Sequence, residues 1–288
     1  MNGKINQAAM PPAGLRALLR RHAGALLDRL LPNECSLCGG AGKDALCPGC
    51  TEQFFAPGAT RPRCRRCANP LPEAAPPSSA KDSGSEPTIG QGLSDPGSGL
   101  PIAHGLDDQL CGVCLADPPA FDRTLVAADY ALPVDQLVLQ LKFGHRLALA
   151  PLCARLLRDA VLSHPDTTLP ALLCPVPLGA RRLAERGYNQ ALEIARPLAR
   201  SMGVALHAQL VVRVHETAAQ SSVAPERRQQ NIAGAFAVPD AALVAGRHIG
   251  VVDDVMTSGR TLNELAATLK RHGAAQVSNF VFARTPPH

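Results

Sequence analysis

The chain has 288 residues, of which 46% are hydrophobic, and it carries a formal net charge of +5 with an isoelectric point near 8.8. This length accommodates one sizeable domain and a smaller one, and the mild positive charge suits an anionic ligand such as a phosphate ester or a nucleic acid. Aromatic residues make up only 3% and tryptophan is absent, which argues against tight binding of single strands by base stacking.

The N-terminal segment, residues 1–33, predicts one amphipathic helix. Its leucines recur at helical spacing between Leu15 and Leu31, with arginines between them. Charged residues interrupt each apolar stretch, which argues against a secretion signal. The amphipathic pattern favours a packing element over a membrane anchor. No run in the sequence approaches the roughly 20 apolar residues that a membrane helix needs. We therefore expect a cytoplasmic protein.

Residues 34–118 have the pattern of a cysteine-rich zinc module. Eight of the ten cysteines form four Cys-x-x-Cys pairs, namely Cys35/Cys38, Cys47/Cys50, Cys64/Cys67 and Cys111/Cys114. Structural zinc is favoured because two such pairs supply the four thiolates of a tetrahedral site, and a reducing compartment disfavours disulfides. Pairing in sequence order gives two sites, although the spacing leaves an interleaved pairing open. The competing interpretations are redox chemistry, an iron–sulfur cluster and a relic site that has lost its metal.

The insertion between the cysteine pairs and the two remaining cysteines are also interpretable from their neighbours. Residues from about 70 to 109 are rich in proline, serine, glycine and alanine and lack the apolar density to fold, which predicts a disordered insertion within the second site. Cys153 and Cys174 stand alone among apolar neighbours, as is typical of buried packing residues.

Residues 119–288 alternate between strand and helix patterns, which predicts an α/β domain with a parallel sheet and ligands at the carboxyl ends of its strands. The strands are predicted at 121–130, 171–176, 248–252 and 277–282. The helices are predicted at 134–143, 147–162, 188–202 and 261–272.

The most informative segment follows the predicted strand at 248–252. Two adjacent carboxylates, Asp253 and Asp254, precede a loop that opens the next helix. A helix start offers unpaired N–H groups to an anion, and paired carboxylates suit sugar hydroxyls or a magnesium shell. The loop adds hydroxyl donors and a glycine that permits close approach; it consists of Thr257, Ser258, Gly259, Arg260 and Thr261. An ordinary strand–turn–helix with a cap would need only one of these residues.

Two other polar segments suit the same chemistry. A loop after the strand at 171–176 carries Arg181, Arg182 and Arg186, and guanidinium groups suit a pyrophosphate because they present paired donors and stay charged. A solvated basic loop is the alternative. Residues 220–236 are polar and have the composition of a loop that closes over a substrate.

The run from Asp253 to Thr261 resembles the signature of type I phosphoribosyltransferases, in which the loop binds the 5-phosphate and the acids contact the ribose. Three more matches make the chain similar to the ComF family: P-V-P with R-R-x-x-E-R-G-Y-N-Q at 175–190, the pair Lys142–Phe143, and Gln220–Ser221 followed by Arg228 and Asn231. The chain departs from that family in its long insertion and in the Ser-Val-Ala-Pro stretch after Gln220–Ser221, where the family is usually more basic.

The resemblance implies a type I phosphoribosyltransferase-like parallel sheet flanked by helices, preceded by an N-terminal double zinc ribbon. It implies binding of 5-phosphoribosyl-1-pyrophosphate with magnesium and displacement of pyrophosphate at C1 of the sugar. Four residues are expected at the reacting groups: Asp253, Asp254, Arg182 and Arg186. The phosphate loop, Arg181, Asn189 and Lys142 are expected to hold the ligand.

The resemblance also links the chain to DNA uptake and DNA utilisation, which leaves the kind of activity open. A non-catalytic competence factor that binds single-stranded DNA and acts with DNA-uptake proteins is one alternative. A regulator that binds the phosphoribosyl ligand without turnover is another. No residue pattern indicates which molecule would accept the phosphoribosyl group, because no dedicated general base is evident.

Overall fold

The computed structural model describes residues 33–56, 62–72, 109–214 and 234–286. The predicted N-terminal helix, most of the predicted insertion and the four residues Gln220, Ser221, Arg228 and Asn231 lie outside these ranges. The chain divides into two compact units between Gln53 and Phe54.

The first described residues form a short antiparallel pair followed by a helix. Strands β1 (Asn33–Glu34) and β2 (Ala41–Gly42) pair with each other, and helix α1 follows at Pro48–Phe55. The turn between the strands contains the first Cys-x-x-Cys pair, and the second pair lies just before and within α1. The local chain path therefore brings two pairs of thiols from separate turns toward one point.

The second unit contains a five-stranded parallel sheet in the order β3-β9-β8-β4-β5. Its strands are β3 (Arg123–Asp129), β4 (Leu172–Pro175), β5 (Ala205–Leu206), β8 (His248–Met256) and β9 (Gln276–Arg284). A separate antiparallel pair consists of β6 (Val212–Arg213) and β7 (Phe236–Ala237). The parallel sheet confirms the predicted α/β class.

Among the described residues of the second unit, the α-helices are α2 (Gly112–Ala116), α3 (Asp135–Lys142), α4 (Ala150–Leu162), α5 (Ala180–Arg186), α6 (Gln190–Met202) and α7 (Arg260–Arg271). The start of α6 is fixed by Asn189, whose Oδ1 accepts hydrogen bonds from Ala191 N at 3.0 Å and Leu192 N at 3.4 Å. The face of α7 that the leucine spacing predicted is buried: Leu262, Leu265, Ala266 and Leu269.

Strands β8 and β9 form the centre of the sheet and are buried almost throughout, as expected of parallel strands covered on both faces. Packing there is tight enough to require glycine at one position. A Cβ atom on Gly250 would lie 2.5 Å from Leu173 Cδ2 and 2.8 Å from both Phe280 Cε2 and Pro170 Cγ. Cys153 and Cys174 are fully buried, as their apolar neighbours predicted.

Two element predictions need correction. The basic segment after β4 was predicted as a loop, but the structure forms α5 over Ala180–Arg186, which places all three arginines on a short helix. Strand β8 was predicted to end at residue 252, yet its pairing with β9 continues to Met256 and therefore includes both aspartates. Among the described residues, no helix combines the length and the apolar character needed to cross a membrane.

Candidate active site and zinc sites

The loop between β8 and α7 has the features of an anion site. Gly259 occupies the N-cap position with φ 76° and supplies no side-chain cap, so the first N–H groups of the helix depend on solvent or a ligand. Thr257 and Ser258 are exposed beside it. A side chain at Gly259 would also meet Met256 Cε at 2.5 Å, so both the conformation and the space favour glycine.

The two aspartates at the end of β8 differ in their surroundings. Asp254 is only 7% exposed, and its Oδ2 lies 2.9 Å from Lys142 Nζ. Its other oxygen accepts a hydrogen bond of 2.8 Å from Val255 N. Asp253 Oδ1 accepts one of 2.9 Å from Asp254 N. The structure thus brings Lys142, at the end of α3, to the acid pair.

Asp253 is difficult to ionise in this environment. Burial and, next, the Asp254 carboxylate raise its pKa from the ordinary 3.8 to about 8, while Lys142 opposes the shift. Two neighbouring carboxylates with one ammonium group leave an excess of negative charge when both are ionised. A bound cation or a hydroxyl-rich ligand would relieve that excess.

The raised pKa of Asp253 predicts that the protein loses stability as pH rises. The folded state holds this proton up to about pH 8, whereas the unfolded chain releases it near 3.8, so the folded state binds more protons in between. The bound proton contributes its full stabilisation below the unfolded-state pKa of 3.8. This contribution is lost as pH rises through the folded-state pKa of about 8. Urea unfolding of the parent and of Asp253→Asn should show the variant gaining relative stability from about pH 5 to about pH 8. Parallel pH profiles for the two proteins would contradict the assignment.

Helix α3 also connects the acid pair to the basic helix. Phe143 directly follows Lys142, and the Arg186 guanidinium lies 5.2 Å from the centre of its ring. Arg186 Nη1 donates to Gln190 Oε1 at 3.0 Å, and the Tyr188 hydroxyl donates to the Leu141 carbonyl. These contacts hold the end of α5 against the end of α3.

The remaining predicted ligand-binding residues lie at varied positions. Arg181 is exposed and approaches Glu185 at 3.8 Å, while Arg182 is half-buried. Asn189 caps α6, and its Nδ2 donates to the Val176 carbonyl at 3.0 Å. Asn189 therefore fixes the segment that follows β4. Arg260 and Thr261, in the first turn of α7, are half-buried.

The eight paired cysteines form two clusters in sequence order. The first consists of Cys35, Cys38, Cys47 and Cys50, the second of Cys64, Cys67, Cys111 and Cys114, and within each the Sγ atoms all lie within 4.8 Å of one another. Zinc–sulfur bonds of about 2.3 Å put the sulfurs of a tetrahedron about 3.8 Å apart. The Sγ–Sγ distances are 3.7 Å for Cys38–Cys47 and 3.6 Å for Cys67–Cys111, so the donors present fit zinc in both clusters.

The second cluster is built into the sheet. Thr124 N in β3 donates to the Arg65 carbonyl at 3.1 Å, within the turn between Cys64 and Cys67. Arg63, just before that turn, forms an ion pair of 2.9 Å with Asp129 at the end of β3. Two bonds at opposite ends of one strand therefore fix this zinc turn against the sheet edge.

Arg284, the last residue of β9, is not among the site residues predicted from the sequence. It is 6% exposed, and its Nε donates to the Cys67 carbonyl at 3.0 Å. Its Nη1 donates to the Met256 carbonyl at 3.1 Å, to Thr285 O at 2.6 Å, and to the Thr257 carbonyl. The available signal was an arginine that directly follows the apolar run F-V-F-A at 280–283.

A pocket of about 460 Å³ lies between the second cysteine cluster and the start of α7. Asn69 and Asp117 line it on one side, and Ser258, Arg260 and Asn263 on the other. Arg284 contributes to its wall. The pocket therefore adjoins the predicted phosphate loop.

Fold and site together define a protein with a double zinc ribbon and a phosphoribosyltransferase-type domain. The family model described as double zinc ribbon domain matches residues 26–82, and the one described as phosphoribosyl transferase domain matches residues 189–287. The DNA utilization protein YhgH of Salmonella typhimurium is 40% identical over 193 residues, which cover 66% of this chain and 83% of that protein. The chain belongs to the ComF/YhgH family of DNA utilization and competence proteins.

Two other similar proteins are a competence protein and a solved phosphoribosyltransferase. Competence protein F of Haemophilus influenzae is 33% identical over 181 residues, which cover 61% of this chain and 79% of that protein. Among solved structures, the hypoxanthine-guanine phosphoribosyltransferase of L. donovani matches with 21% identity and a TM-score of 0.28, covering 47% of this chain and 69% of that one. That score is too low to support the fold, which follows from the strand order and the matched family models.

Proposed function

We propose that this protein binds 5-phosphoribosyl-1-pyrophosphate with magnesium and transfers the phosphoribosyl group to an acceptor, releasing pyrophosphate. The observation that carries the proposal is the continuous segment from Asp253 to Thr261, in which two acids at a strand end lead into an uncapped helix start. The loop would bind the 5-phosphate through N–H and hydroxyl groups. The acids would hold the ribose hydroxyls.

In the proposed reaction, the bond between C1 and the pyrophosphate oxygen breaks and the leaving group keeps the electron pair. The acceptor forms the new bond to C1 and loses a proton. Arg182 and Arg186 would stabilise the charge that develops on the leaving group, since α5 follows β4 at the same end of the sheet as Asp254. Asp253 and Asp254 are the candidate ligands of a magnesium ion, which would further neutralise the pyrophosphate.

The family supports a role in the uptake or utilisation of DNA, because the similar proteins carry those names. The same observation favours a second candidate, a non-catalytic competence factor that binds single-stranded DNA. The excess of basic residues allows electrostatic binding, although the scarcity of aromatic residues argues against tight stacking.

The proposal is tested by calorimetric titration of the zinc-loaded full chain with 5-phosphoribosyl-1-pyrophosphate, with and without magnesium. Ribose 5-phosphate and pyrophosphate are titrated separately, because they probe the loop and the basic helix one at a time. We expect the complete ligand to bind more tightly than either half and to require magnesium. A folded, zinc-loaded protein that binds none of the three would overturn the proposal.

Two additional readouts separate the alternatives once binding is known. Pyrophosphate release in the presence of nucleobase or amine acceptors supports a transferase, whereas binding without release supports a regulator. Salt-dependent binding of a single-stranded oligodeoxynucleotide that survives Asp254→Asn supports the DNA-binding candidate.

A further inference from the structure

We propose that Arg284 is a positioning residue through which zinc in the second cysteine cluster orders the phosphate loop. The inference rests on the proposed function in assigning the loop at 257–261 to phosphate binding. The coupling itself is a property of the free protein and is measurable without any ligand.

The geometry of Arg284 links the two sites directly. The Nε side of the guanidinium donates to the Cys67 carbonyl, within the zinc turn, at 3.0 Å. The Nη1 atom donates to the Met256 carbonyl at 3.1 Å and to the Thr257 carbonyl, at the point where β8 leads into the loop. One rigid, planar group therefore sets the position of the zinc turn relative to the loop entrance.

The link depends on the special properties of arginine. The guanidinium presents donors in a fixed fork, so two acceptors on different sides are engaged at once. A lysine ammonium is a single point and reaches one side only. Because Arg284 is 6% exposed, its charge also needs a nearby negative group. The four thiolates of the second cluster outweigh the charge of one zinc ion, so the occupied cluster is anionic and meets that need.

The zinc turn is itself held in register with the strand beside β9. The Arg65 carbonyl accepts from Thr124 N, and Asp129, which pairs with Arg63, lies opposite Arg284 in the β3–β9 register. Movement of the turn on loss of zinc would displace the Cys67 carbonyl and leave the buried guanidinium without one of its partners. The loop entrance would then lose the group that holds it.

Hydrogen–deuterium exchange of a loop peptide at 252–265 tests the coupling, with Arg284→Lys and Cys111→Ser as the perturbing variants. This peptide covers the paired end of β8, the loop and the first hydrogen-bonded turn of α7, where Asn263 N donates to the Gly259 carbonyl, so it contains amides that are protected in the parent. Cys111 is the least buried ligand of the second cluster, and Arg284→Lys keeps all cysteines in place. Arg271→Lys, a half-exposed arginine on α7, and Cys38→Ser, in the first cluster, are the matched controls. We expect about tenfold faster loop exchange in the two perturbing variants and parent-like exchange in the controls.

A thermodynamic cycle distinguishes coupling from simple loosening. Removing zinc from the parent should weaken binding of 5-phosphoribosyl-1-pyrophosphate, with restoration on adding zinc back, whereas zinc removal from Arg284→Lys should add little further loss. Peptides of β4 and α4 must still exchange far more slowly than the loop peptide, which shows that the sheet remains folded even where zinc removal lowers its free energy of unfolding.

The outcomes separate this inference from the proposed function. Parent-like loop exchange in both Arg284→Lys and Cys111→Ser overturns the coupling, even when the parent binds the ligand. A parent that binds no ligand overturns the proposed function, while the exchange comparison still decides whether the zinc turn and the loop are linked. If Cys111→Ser also speeds exchange in β4, its effect on the loop reports unfolding of the sheet. The exchange of Arg284→Lys then decides whether the zinc turn and the loop are coupled.

Discussion

Replacing Asp254 with asparagine is expected to weaken binding of 5-phosphoribosyl-1-pyrophosphate by at least about tenfold, equivalent to about 1.4 kcal/mol. The substitution keeps the shape of the side chain and removes its charge. Asp254 is 7% exposed and pairs with Lys142 at 2.9 Å, so the change acts at a formed, mostly buried ion pair next to the loop. Calorimetric titration with magnesium present measures the effect.

Two variants separate the ligand contribution from the effect on folding. Lys142→Met leaves the Asp254 carboxylate buried without its cation and should destabilise the protein by about 2 kcal/mol. Combining it with Asp254→Asn should recover much of that stability without recovering ligand binding. Asp159→Asn, at a half-exposed carboxylate on α4, is the surface control. Parent-like affinity in a folded Asp254→Asn protein would show that the acid pair takes no part in binding.

The central strands, most helices and the strand–loop–helix order of the segment at 248–271 were predictable because each is specified by neighbouring residues. Apolar runs indicate β8 and β9, and the leucine spacing indicates α7, regardless of what packs against them. The cysteine pairs were equally local, and sequence order proved sufficient to group them into two clusters.

The errors and omissions arise where distant residues decide the outcome. Strand β8 continues through two aspartates, which local propensity disfavours, because β9 pairs with it as far as Arg284. Helix α5 lacks an apolar face and has no buried residue, so periodicity gave no indication of a helix. The contact of Arg284 with Cys67 spans 217 residues of sequence, and a single strand-ending arginine does not reveal such a partner.

Loss of zinc from the second cluster is expected to destabilise the entire parallel sheet, whereas loss from the first is expected to leave the sheet intact. Cys64, Cys67 and Cys114 are buried and belong to the same apolar core as the leucines on the buried face of α7. Structural zinc contributes a large part of the folding free energy of small ribbons. For the sheet-containing unit, we expect Cys64→Ala to cost at least about 3 kcal/mol and to lower Tm by about 10 °C.

The matched comparison is Cys38→Ala in the first cluster, with zinc content measured for both variants. Scanning calorimetry should show the main transition lowered in Cys64→Ala and within about 1 °C of the parent in Cys38→Ala. Cys153→Ala removes a buried thiol that lies in neither cluster, so it reports the cost of core truncation alone. If Cys64→Ala costs no more than Cys153→Ala, the second zinc site does not stabilise the sheet. If Cys64→Ala loses its zinc and costs more stability than Cys153→Ala, the difference between the two costs is the contribution of zinc. That contribution would explain why a sheet with its own apolar core still carries a metal site at its edge.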